Sequence, residues 1–194
     1  MNNYNVKSKE EMNAIKFSKI DSVKLYKMIL KGDMITRFPP GFWKRPGAKE
    51  NGSECIKYLI EDILKYDDDT LKQKSLMYLF KKYKLAGMIN VCFNGSAYDA
   101  INNTYPNRFN EWEFNYTPRG YWSTRENGIK VTKWLIEEKL KLKDEELKEQ
   151  LSIKMFEDNG LSIMLKRCFD NNPYEAINSV YPSRFKKIEF RIYK

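Results

Sequence analysis

The chain has 194 residues, 42% hydrophobic and 31% charged, a balance that supports packed cores and excludes a wholly disordered polymer. Histidine is absent, which excludes histidine-based catalytic triads, histidine metal sites and mixed Cys/His zinc sites. The net charge of +9 is uneven: basic side chains outnumber acidic ones 11 to 4 over residues 1–49 and 16 to 12 over 116–194, but count 8 against 10 over 50–115. Such a distribution fits an anionic partner touched by part of the protein, and equally a lysine-rich solvated surface.

Residues 1–17 are polar without sustained periodicity, so a frayed arm is expected there. No apolar run approaches a bilayer span or a secretion signal, and the three cysteines (Cys55, Cys92, Cys168) lack paired spacing. A cytoplasmic location, with no membrane partner, is the expectation. A helix follows the arm: Ile20, Val23, Leu25, Tyr26, Ile29 and Leu30 recur at three and four, Asp21 or Ser22 can cap its start, and Gly32 can end it. FPPGFW at 38–43 then reads as a turn, since its prolines exclude helix and its aromatics need burial.

From here the chain repeats itself. YDAINNTYPNRFNEWEF at 98–114 returns as YEAINSVYPSRFKKIEF at 174–190, a displacement of 76 residues. Glu50-Asn51-Gly52 returns at the same displacement as Glu126-Asn127-Gly128, and Gly41-Phe42-Trp43 answers to Gly120-Tyr121-Trp122 across a loop of different length. Each copy reads as four helices. The first carries the stripe Ile56, Leu59, Ile60, Ile63 and Leu64; the second begins at Asp67-Asp68-Asp69 or Asp144-Glu145-Glu146 and runs to Tyr83 or Asp158. The third is LAGMINVCF or LSIMLKRCF, preceded in the second copy by the break Asn159-Gly160. The fourth, AYDAINNTY or PYEAINSVY, stops at Pro106 or Pro182. Only the tail IEFRIY hints at a strand. The predicted fold is all-α: a tandem duplication of a roughly 75-residue four-helix unit containing a helix-turn-helix-like segment. Its expected divisions are an arm and helix at 1–37, unit 1 at 38–115 and unit 2 at 116–194.

Catalytic constellations are sparse. There is no Cys-x-x-Cys and no glycine-rich phosphate loop. Asp67-Asp68-Asp69 could hold a divalent metal, but acidic residues at a helix start serve capping and the macrodipole, and Lys143 replaces the first of them in the second copy. No enzyme activity, metal or cofactor is expected. Polar identity at equivalent places is more telling. Arg108 and Arg184 recur in Tyr-Pro-x-Arg-Phe, either as salt bridges to Glu113 and Glu189 or as phosphate clamps. Asn102 and Asn178 recur at the close of the fourth helix, and the third helices carry Asn90, Asn94, Lys166 and Arg167, side chains that reach phosphates and base edges.

Two resemblances add to this. Trp followed by Ser/Thr-x-Glu-Asn, an apolar helix, a Gly-Leu third helix and Tyr-Glu-Ala-Ile resemble the short helical repeats that accompany homing endonucleases, and that resemblance implies DNA binding. FPPGFW, GYWSTRENGIK, KWLIEEKL and YPSRF with its following EF are similar, over nearly the whole chain from Ile20, to a repeat domain of Bacillus-like bacteria and their phages with no settled function. The expectation is a non-catalytic DNA-binding protein, a phage or prophage regulator. Lys166 and Arg167 would enter or border a major groove, with Asn90 and Asn94 on the other third helix. Lys44, Arg45, Arg125, Lys130, Arg184, Lys186 and Lys187 would contact phosphates, with Arg108 in the equivalent place. The alternative is a protein-interaction or inhibitor module presenting Trp112, Met88 and Met164 to a partner protein.

Overall fold

A computed structural model describes residues 20–32, 35–117 and 120–193. The polar arm at 1–17 and Pro118-Arg119 of the second aromatic turn lie outside the described residues. Those described form eleven α-helices and short 3-10 turns with no strand, and none of the helices is long and apolar enough to cross a membrane. The protein is an all-α tandem duplication that divides between Tyr116 and Thr117 into two compact units.

In unit 1, α1 (Ser22–Lys31) starts where the Asp21 carboxylate accepts the Lys24 N–H at 2.9 Å, and ends at Gly32 with a φ of 73°. It buries Leu25, Tyr26 and Ile29 against α2, so it is part of this unit's core rather than of a separate N-terminal segment. The aromatic turn Phe42–Lys44 follows, then α2 (Ala48–Lys57, continuing as a π-helix over Tyr58–Leu64), α3 (Asp68–Lys72), α4 (Leu76–Lys82), α5 (Ala86–Cys92) and α6 (Ala97–Thr104). Helix α2 is the axis, touched by α1, α5 and α6. Unit 2 repeats the plan with α7 (Arg125–Trp134, continuing as a π-helix over Leu135–Lys139), α8 (Asp144–Gln150), α9 (Ile153–Asp158), α10 (Ser162–Phe169) and α11 (Pro173–Val180). Pro173 occupies the first turn of α11 behind the Asn172 cap, where a missing N–H costs nothing.

Three expectations are corrected. The second helix of each copy is two helices. Leu71 and Phe80, like Leu147 and Phe156, stand nine positions apart, which an unbroken helix of 3.6 residues per turn would place on opposite faces. Breaking the helix at 73–75 and at 151–152 lets both members of each pair enter the core. The long helix begins at Ala48, so Glu50-Asn51-Gly52 lies inside it, and its expected stripe does not persist: Ile63 is 44% exposed. The π turn slows the rotation of side chains around the axis and carries Ile63 off the buried face. The tail 188–193 forms 3-10 turns, Lys187–Glu189 and Arg191–Tyr193, in place of the hinted strand.

Glycine in the Glu-Asn-Gly motif has a packing reason. A Cβ at Gly128 would fall 2.7 Å from the Cβ of Cys168 and 2.8 Å from Cε2 of Phe169, and one at Gly52 would fall 2.7 Å from Sδ of Met88. The axial helix and the third helix of the unit touch backbone to side chain at that point.

Candidate nucleic-acid interface

The candidate surface is built on the third helices, α5 and α10, and the turns before them. In each turn a residue takes a left-handed conformation, Lys84 with a φ of 65° and Gly160 with a φ of 74°, and the next residue, Leu85 or Leu161, is buried. This gives a short helix, a tight turn and a second short helix anchored by leucine, the outline of a helix-turn-helix. Helix α10 buries Met164, Leu165 and Phe169 and turns Ser162, Ile163, Lys166 and Arg167 to solvent. Lys166 and Arg167 have no carboxylate within ion-pair distance among the described residues. They sit in the last turn of α10, where cations also complement the helix dipole. Helix α5 buries Met88, Ile89 and Cys92 and exposes Gly87, Asn90 and Val91, so its outer face is smaller and uncharged. Asn94 ends α5 with a φ of 50°, a conformation that asparagine tolerates well, so it has a local structural role.

Several expected phosphate contacts already have partners. Arg108 makes a two-point ion pair with Asp68, at 2.7 and 3.2 Å, and Arg184 does the same with Asp144 at 2.8 and 3.0 Å. Each guanidinium also stands 5.2 Å from the ring centre of Tyr105 or Tyr181. The expected partners Glu113 and Glu189 instead take Lys72 of α3 and Lys148 of α8, at 3.1 and 3.3 Å. Arg125 pairs with Glu175, donates to Ser179 Oγ at 2.9 Å and covers the Phe169 ring. Arg45 lies 3.7 Å from the Phe42 ring centre and donates to Ser22 Oγ at 3.2 Å. Lys44 is exposed on the aromatic turn of unit 1, Lys130 on α7, and Lys186 and Lys187 at the last strap of unit 2.

The repeated Tyr-Pro-x-Arg-Phe segment is a strap over each unit. Tyr105 Oη donates to Glu61 Oε1 at 2.9 Å and Tyr181 Oη to Glu137 Oε1 at 2.8 Å, reaching back to the π turn of the axial helix. Asn102 Oδ1 accepts the Asn107 N–H at 3.3 Å and Asn178 Oδ1 accepts the Ser183 N–H at 3.4 Å, closing the turn after the last helix. Burial, then the hydrogen bond and negative charge of Glu61 or Glu137, push both tyrosines well above their ordinary value. These glutamates were missed in the sequence, where Asp68 and Asp144 read only as part of a helix start.

The cysteines are spoken for as well. Cys92 and Cys168 each donate to the carbonyl of the turn tryptophan, Trp43 or Trp122, at 3.6 Å. Burial pushes the Cys55 thiol up to about 12. Among the described residues no group of three or more His, Cys, Asp or Glu side chains is placed to hold a metal. Asp67 caps α3 by accepting the Thr70 N–H at 2.8 Å, and hydrogen bonding from the Thr70 hydroxyl, then from this N–H, lowers its pKa. The contact face imagined for a protein partner is corrected: Trp112, Met88 and Met164 are buried.

In unit 1 the places of Arg125 and Glu175 are taken by Lys49 and Asp99, which form no ion pair with each other among the described residues, although Lys49 lies 5.7 Å from the Phe93 ring centre. They leave an open polar cleft of about 270 Å³ that also includes Asn94, Asn102 and Asn103. The two units therefore share a frame and differ at their surfaces.

No curated protein matches the chain, and no solved structure does. Residues 22–110 and 111–186 each match one family, described as protein of unknown function (DUF4046), so its unit is the duplicated unit seen here. The chain belongs to the DUF4046 family and carries its domain twice.

Proposed function

We propose that this protein is a non-catalytic DNA-binding protein, of the kind that regulates phage or prophage genes, whose second unit makes the principal contact. The observation that carries the reading is the outer face of α10, which presents Lys166 and Arg167 without carboxylate partners beside an exposed Ile163 and Ser162. Recognition helices read bases with their N-terminal residues, so Ser162 and Ile163 face base edges, the isoleucine suiting a thymine methyl, while Lys166 and Arg167 border the groove and hold phosphates. Lys186 extends the phosphate contacts of unit 2, and Asn90 is the polar group offered by α5. Arg108, Arg125 and Arg184 drop out of the contact set because carboxylates already hold them.

The test is affinity for a mixed-sequence duplex measured by fluorescence anisotropy. K166A and R167A are expected to weaken binding strongly, and R108A and R184A to leave it unchanged. Absence of duplex binding, or the reverse ranking of the variants, overturns the reading.

A further inference from the structure

Unit 1 carries a groove that the DNA reading does not use. It has a volume of about 310 Å³ and lies between the aromatic turn and α5, lined by Phe38, Trp43, Lys44, Lys84, Gly87 and Val91, with Arg37 at its edge. Its floor is apolar: Val91 is 47% exposed and Phe38 is half-buried. Its lining contains basic side chains and no carboxylate, and neither Lys44 nor Lys84 has an ion-pair partner among the described residues.

The groove exists because Gly87 leaves it open. A Cβ at Gly87 would meet nothing within 4 Å. Unit 2 has Ile163 at this place, Arg167 where unit 1 has Val91, and Gly160 where unit 1 has Lys84. Each of the three differences makes the unit 1 surface more open, more apolar or more basic at its rim. The space suits one or two side chains rather than a drug-sized ligand.

We propose that this groove docks an acidic peptide segment of a partner protein, with one aliphatic or aromatic side chain seated over Gly87 and Val91 and flanking carboxylates on Lys44 and Lys84. Charge complementarity names the partner's sign, and the burial of the Phe42 and Trp43 rings, which leaves Phe38 alone for a base to stack on, favours a peptide over single-stranded nucleic acid. Phe42 and Trp43 pack edge to face at 85° with centres 4.9 Å apart, and both are buried, so neither offers a platform for a base.

Three probes are titrated into the full-length protein and followed by amide and methyl NMR shifts. They are a short Asp/Glu-rich peptide with one central leucine, the same peptide with alanine in place of leucine, and an oligothymidylate. The leucine peptide is expected to shift Gly87, Val91 and the Trp43 indole. G87I, which installs the residue of the sister unit, should abolish those shifts with the fold unchanged. K84G also copies the sister unit and relieves a left-handed lysine, and it should weaken binding severalfold. No shift at the groove, equal shifts from the alanine peptide, or the same shifts from oligothymidylate would each overturn the proposal. The DNA reading is tested on Lys166 and Arg167 and stands or falls separately.

Discussion

Arg108 and Arg184 occupy the same place in the two repeats and face the same kind of partner, an aspartate 40 residues upstream. Both ends of each pair are about half exposed, so each bridge contributes at most about 1 kcal/mol. Alanine at either arginine should lower urea-melt stability by no more than that. Glycine matters more. G128A forces a Cβ against the anchored Cβ of Cys168, an overpacking that costs about 1–3 kcal/mol and exceeds the helical gain of about 1 kcal/mol. G52A meets the unbranched thioether chain of Met88 rather than an anchored Cβ or a ring, so thermal melts should show the smaller loss for G52A; the opposite order would contradict the assigned packing. Thr132 is fully buried and its hydroxyl has no hydrogen-bond partner among the described residues, whereas unit 1 has Ile56 in its place. T132V should stabilise the protein by about 1 kcal/mol, read as a higher urea midpoint with an unchanged slope. These partners were hidden in the sequence for a physical reason: Asp68 and Glu61 meet Arg108 and Tyr105 only after 40 or more residues have folded back, and local pattern carries no trace of that.

Among the elements, the axial helix and its strap set the behaviour of each unit. Helix positions were legible where local chemistry decides them: Asp21 and Gly32 bound α1, and Pro106 and Pro182 follow the ends of α6 and α11. They were not legible where tertiary packing overrides periodicity, as in the π turn that displaces Ile63 and the break that lets Leu71 and Phe80 share a core. The strap makes a pH prediction. Tyr105 and Tyr181 keep their protons in the fold above the ordinary value of 10.0, while unfolded tyrosines lose theirs near it. Their contribution is therefore full below about pH 10 and is lost as pH rises through the raised folded values. Urea stability should fall on the alkaline side, and Y105F with Y181F should flatten that fall. An unchanged alkaline slope in the double variant would remove the strap tyrosines from this role.

At the scale of the whole molecule, duplication preserved the frame and let the surfaces diverge. The frame was readable because repetition in sequence is repetition in fold, and both units keep the strap, the capped fourth helix and the glycine crossing. The surfaces were not readable from residue type alone. Arg108, Arg125 and Arg184 are as basic in sequence as Lys166 and Arg167, yet carboxylates hold the first three and leave the last two. The proposed contact of α10 with DNA is to be read from the salt dependence of duplex affinity in the wild type and in the K166A/R167A double variant. A linear fall of log K with log salt is expected, with the slope reduced by about 2 in the double variant as two phosphate contacts are lost. Equal slopes for the two proteins, or an affinity indifferent to salt, would contradict it.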